Sequence, residues 1–122
     1  MPKTIMTVDD AATMRKLIAF TLKGAGHIVL EAEDGAVALG MLSRKKVDLV
    51  ITDVNMPNLN GVELTKKLRE NPLHKTTPIL IVTTESDATL KGKAKAAGAT
   101  GWIVKPFKPE QLIEIVGRVL KI

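Results

Sequence analysis

DLVITDVNMPNLNGVEL, residues 48 to 64, sets an unbroken apolar run against an acid and a turn. The run over Asp48–Thr52 is rich in aliphatic, β-branched side chains without polar alternation. That pattern belongs to a parallel strand covered on both faces. Asp53 follows directly, the loop to Gly61 supplies turn residues, and Val62, Leu64 and Leu68 continue into a helix.

The same strand-then-helix unit recurs in both directions. Short apolar runs predict strands at Thr4–Val8, Ile28–Ala32, Ile79–Thr83 and Gly101–Val104. Between them, Leu17, Phe20, Thr21 and Gly24 share one face of a first helix, and Val37, Met41 and Leu42 line a second. Ala88–Ala97 is an alanine-rich fourth helix, and a fifth turns Leu112, Ile115, Val116 and Val119 toward a core. Gly26, Gly98 and Pro72 follow helices, whereas Pro109 opens one. Five such repeats with right-handed crossovers give an α/β fold, a three-layer α/β/α sandwich around a five-stranded parallel sheet. Ligands of such sheets bind beyond the carboxyl ends of the strands.

The chain has 122 residues, a common size for one domain, and no linker or repeat divides it, so residues 1–122 are read as a single unit. It contains no cysteine, which excludes a disulfide framework and thiolate metal sites and fits a reducing cytoplasm. No stretch approaches the ~20 apolar residues of a membrane span. The net charge of +5 raises nucleic acid as a partner. However, the basic residues are scattered over several helical segments, and aromatics at 2% are too few for a base-stacking platform. A solvated basic surface is the better reading.

Polar chemistry gathers at the predicted carboxyl rim. Asp9 and Asp10 follow the first strand, Asp53 the third, Thr83 ends the fourth, and Lys105 follows the fifth. Each has an ordinary reading alone: Asp10 as a helix cap, Asp53 as a turn residue, Thr83 and Lys105 as unremarkable strand and surface residues. Their coincidence on one edge favours a site. Close carboxylates repel unless a cation compensates, and Mg²⁺ accepts oxygen ligands together with a substrate phosphate. Asp53 is then the nucleophile that takes a phosphoryl group, Lys105 a point charge on its oxygens, and Thr83 a hydroxyl donor.

VDD at 8 to 10, VITDVNMPNLNG at 50 to 61, Thr83 and GWIVKPF at 101 to 107 together resemble the receiver domains of two-component response regulators, over the whole chain. NMPNLNGVEL is similar to stand-alone chemotaxis regulators of the CheY type. The resemblance implies a flavodoxin-like fold with strand order 2-1-3-4-5, an arrangement for which the chemotaxis regulator is itself a standard example. It further implies Mg²⁺ held by Asp9 or Asp10, Asp53 and the Asn55 carbonyl; phosphorylation of Asp53; a phosphate grip by Thr83 and Lys105; and a cis Lys105–Pro106 peptide. Thr83 and Trp102 are implied as switch residues, and Asn55 and Glu85 as residues tuning dephosphorylation. The implied partners are a histidine kinase, a downstream effector such as the flagellar motor switch, and a phosphatase, acting on a cytoplasmic monomer. A phosphorelay intermediate or phosphate sink is the alternative.

Four positions depart from the commonest family pattern: Thr7, Ala11, Asn60 and Trp102. Rival chemistries fit less well. A flavin or nucleotide cradle needs glycine and hydroxyl residues after the first strand, where VDDAAT places two negative charges. A haloacid-dehalogenase phosphatase needs a second acid two residues after its nucleophile, where this chain has Asn55. Ser43 and Ser86 have no histidine partner in the motif pattern, and His27 and His74 read as surface or turn residues.

Overall fold

The computed structural model describes residues 2–84 and 87–122. Among the described residues five strands, β1 (Thr4–Val8), β2 (Ile28–Ala32), β3 (Leu49–Thr52), β4 (Ile79–Thr83) and β5 (Gly101–Val104), alternate with five helices. These are α1 (Ala12–Gly24), α2 (Gly35–Leu42), α3 (Gly61–Glu70), α4 (Ala88–Ala97) and α5 (Pro109–Leu120), with one 3₁₀ turn at Pro72–His74. The strands are all parallel, in the order β2-β1-β3-β4-β5. Each residue of β3 and β4 is buried, as their continuous apolar runs require.

Alternation along the strands divides the core in two. Ile5, Leu49, Ile51, Leu80, Val82 and Ile103 face α1 and α5, where Ile18, Leu22, Leu112 and Val116 close the layer. Met6, Val8, Val50, Ile79 and Ile81 face α2, α3 and α4, packing on Ala38, Leu42, Leu64, Leu68 and Ala94. The expected three layers and strand order are thus present.

Several local expectations need correction. In α1 the buried face carries Ile18, Ala19, Thr21 and Leu22. Leu17 and Phe20 point outward at 42% and 78% exposure. Apolar residues lie on both sides of this helix, so periodicity alone does not fix its rotation. The same holds for α2, apolar on every side, which buries Ala38 and Leu42 and leaves Val37 and Met41 exposed. Asp48 lies just before β3 rather than in it, its carboxylate accepting from Thr4 N–H at 2.8 Å.

His74 lies in the 3₁₀ turn, one of the two roles expected of it, but it is fully buried rather than at the surface. Its Nε2 donates to the Leu42 carbonyl at 2.8 Å, and its Nδ1 lies 3.3 Å from Thr77 Oγ1. Beside it, Arg69 donates to the carbonyls of Gly98, His74 and Thr77 at 2.6 to 3.1 Å. One guanidinium therefore joins the C-terminal end of α4 to the 3₁₀ turn and the approach to β4. Gly98 ends α4 at φ 107°, a conformation that side chains rarely adopt, with the stem of Arg69 packed where a Cβ would stand.

Candidate functional site

The carboxyl ends of β1 and β3 are adjacent in the sheet, which brings Asp9 and Asp53 together. Asp53 N–H continues the ladder by donating to the Val8 carbonyl at 3.0 Å, while Asp9 N–H donates to Ala32 at 3.2 Å. From the far side, Lys105 N–H donates to the Thr83 carbonyl at 2.8 Å, and the Lys105–Pro106 peptide is cis. Lys105 Nζ then reaches Asp9 Oδ2 at 2.9 Å and Asp53 Oδ2 at 3.2 Å. These side chains are mostly shielded, at 9% exposure for Lys105, 2% for Asp9 and 13% for Asp53.

Asp10 completes a cluster in which one carboxylate oxygen from each of Asp9, Asp10 and Asp53 lies within 4.8 Å of the others. Three carboxylates against one ammonium leave two negative charges uncompensated among these four residues. Oxygen donors with that charge fit a hard divalent cation such as Mg²⁺. Burial pulls the Lys105 pKa down, yet hydrogen bonds and Coulombic attraction from Asp9 and Asp53 outweigh it and hold the ammonium above its usual range.

The second oxygens of Asp9 and Asp53 are also committed. Asp9 Oδ1 accepts from Ala11 N–H at 2.9 Å, and Asp53 Oδ1 from Val54 N–H at 2.7 Å. Asp10 is thus free of the capping role considered from the sequence: the residue at the start of α1 is Ala11, which offers no side-chain cap, and Asp9 supplies the turn's acceptor. Arg15 donates to the Asp9 carbonyl at 2.7 Å and to Glu31 at 3.2 Å, bracing the loop from below.

Thr83 is fully buried at the end of β4, two strands from Asp9 in the sheet order. Asn55 is exposed on the loop after Asp53. Glu85 and Ser86 lie outside the described residues. Trp102 is half-buried against the α2–α4 core layer, with Lys91 Nζ 6.0 Å from its ring centroid. Its ring therefore sits beside α4 rather than at the rim.

Sequence reasoning did not find what holds the loop after Asp53. A Cβ on Gly61 would stand 2.1 Å from the Asp53 carbonyl, so that only glycine lets α3 begin this close to the acid. On the other side, Asp34 and Asn58 are hydrogen-bonded at 3.1 Å. The DG at 34 and 35 was the available signal, but Asp34 reads equally well as a helix cap.

Residues 5–117 match the response regulator receiver domain, and the chain belongs to that family. Among its relatives, a chemotaxis protein CheY homolog of Campylobacter jejuni is 44% identical over 118 residues, covering 95% of this chain and 91% of that one. The chemotaxis protein CheY1 of Helicobacter pylori is 42% identical, covering 95% of each chain. In structure, chemotaxis response regulator CheY4 of Vibrio cholerae superposes with a TM-score of 0.93 at 42% identity, covering 98% of this chain and 99% of that one.

Proposed function

We propose that this chain is phosphorylated on Asp53 by a histidine kinase and thereby switches a protein-binding surface in chemotaxis or motility control. The observation that carries this reading is the convergence of Asp9, Asp10 and Asp53 with Lys105 on one rim. Chemotaxis is favoured by the CheY relatives, which match this chain over nearly their whole length. A cytoplasmic setting, a flagellar motor switch as effector and a phosphatase as a further partner are parts of the same proposal.

In the reaction, a carboxylate oxygen of Asp53 attacks phosphorus as the P–N bond of a phosphohistidine breaks. The departing imidazole takes its proton from water, and an aspartyl phosphate remains. The side chains of Asp9, Asp10 and Asp53 and the carbonyl of Asn55 would hold Mg²⁺. That ion, when bound, offsets negative charge on the phosphoryl oxygens and orients them. Lys105 approaches Asp53 on its Oδ2 side and supplies a second positive charge. Thr83 offers a hydroxyl, and Asn55, beside the acid, limits the approach of water to the acyl phosphate, as Glu85 does in this reading.

Incubation with radiolabelled acetyl phosphate tests the proposal directly. Label is expected on Asp53 when Mg²⁺ is present, and is expected to vanish with EDTA or in Asp53→Asn. Incorporation that survives either change would place the acceptor elsewhere.

A further inference from the structure

The loop between Asp53 and α3 is an arc whose two ends are fixed. Gly61 N–H donates to the Val54 carbonyl at 3.0 Å, and Asn60 caps α3 through Glu63 N–H at 2.8 Å. Between these ties lies Asn55, whose carbonyl belongs to the proposed ligand set. Met56 and Leu59 give the arc some packing on the core.

A third tie comes from α2. Asn58 sits at φ 69°, in the left-handed region that asparagine tolerates better than most residues. Its Nδ2 donates to Asp34 Oδ2 at 3.1 Å, while Asp34 Oδ1 accepts from Val37 N–H at 2.8 Å. One buried carboxylate thus serves its own helix with one oxygen and the arc with the other. Next to it the backbones touch, since a Cβ on Gly35 would stand 2.3 Å from the Leu59 carbonyl. Pro57 has a ring-restricted φ, so few torsions separate the held Asn58 from the Asn55 carbonyl.

We infer that Asp34 and Asn58 form a strut that aims the Asn55 carbonyl at Mg²⁺, which makes both of them positioning residues of the site. The inference rests on the Mg²⁺ reading given above. A ligand on an arc held at two ends and along its crest is pre-organised, and loosening the crest costs affinity without removing any ligand.

Calorimetric titration with Mg²⁺ alone, without phosphodonor, tests this in four proteins, each checked for its fold by circular dichroism. Asn58→Gly accepts the left-handed backbone but loses the bond, and Asp34→Ser keeps a cap on α2 but has no second oxygen for Asn58. Both are expected to bind Mg²⁺ on the order of tenfold more weakly than wild type. Asp34→Asn removes the same charge as Asp34→Ser, yet keeps two polar atoms, toward which the Asn58 amide can turn its own oxygen. It is expected to stay within about threefold of wild type. Wild-type affinity in Asn58→Gly and Asp34→Ser would show that packing of Met56 and Leu59 holds the arc and would overturn the strut. An Asp34→Asn loss as large as that of Asp34→Ser would do the same, because charge rather than the bond would then be responsible. Wild-type protein that binds no Mg²⁺ would remove the ligand set and the strut together.

Discussion

Lys105 balances two shielded acids, and its removal leaves Asp9 and Asp53 facing each other without a cation. Truncating one partner of such a buried pair costs about 3 kcal/mol, so Lys105→Ala is expected to lower stability by that order in metal-free buffer. A divalent cation would then substitute for the ammonium. The thermal midpoint of Lys105→Ala should therefore rise more on adding Mg²⁺ than that of wild type. Its pH dependence has a definite sign. The folded-state pKa lies above the ordinary lysine value of about 10.5, so the stabilisation is fully present below that pH and is lost as pH rises through the folded value. Denaturation across pH 6 to 9, with no added metal, checks this as a flat difference between the two proteins; a difference that varies there would mean another group sets the balance.

Among the elements, α3 has the clearest local device. Asn60, which stands where family members usually carry Asp, still forms a capping box: its Oδ1 accepts from Glu63 N–H, and Glu63 Oε1 accepts from Asn60 N–H at 3.0 Å. Asn60→Ala should cost about 1 kcal/mol in urea denaturation, and Asn60→Asp close to nothing. Such devices are local in sequence, and so were most features that could be read beforehand. β3 and β4 were legible because burial on both faces leaves them uniformly apolar. The rotations of α1 and α2 were not, because Phe20 and Met41 are as apolar as the residues that are buried. The acids and Lys105 could be placed because strand ends alone determine their edge. The contact from Asn58 to Asp34 spans 24 positions and joins two residues that each make a good turn or cap alone, so no spacing announces it.

For the molecule as a whole, the question is how chemistry at the rim reaches a partner. Trp102 lies on β5 beside Lys91 of α4, and Thr83 ends the neighbouring strand, with Lys105 N–H bonded to its carbonyl. Movement of Thr83 toward a phosphoryl group should alter the space between α4 and β5, and with it the environment of the indole. A beryllofluoride–Mg²⁺ complex is expected to change Trp102 emission and its quenching by iodide, and Thr83→Ala to weaken that response while metal binding persists. Unchanged emission alongside tighter partner binding would remove Trp102 from the switch. Arg69 clamps the C-terminal end of α4 at Gly98 to the 3₁₀ turn and the approach to β4. A helix held there is expected to pivot at the end remote from the rim that carries Asp53. Any tilt of α4 on phosphorylation is therefore expected to be largest at its rim end, near Leu90, and smallest at Lys95, so that the two ends of its basic face are displaced by unequal amounts.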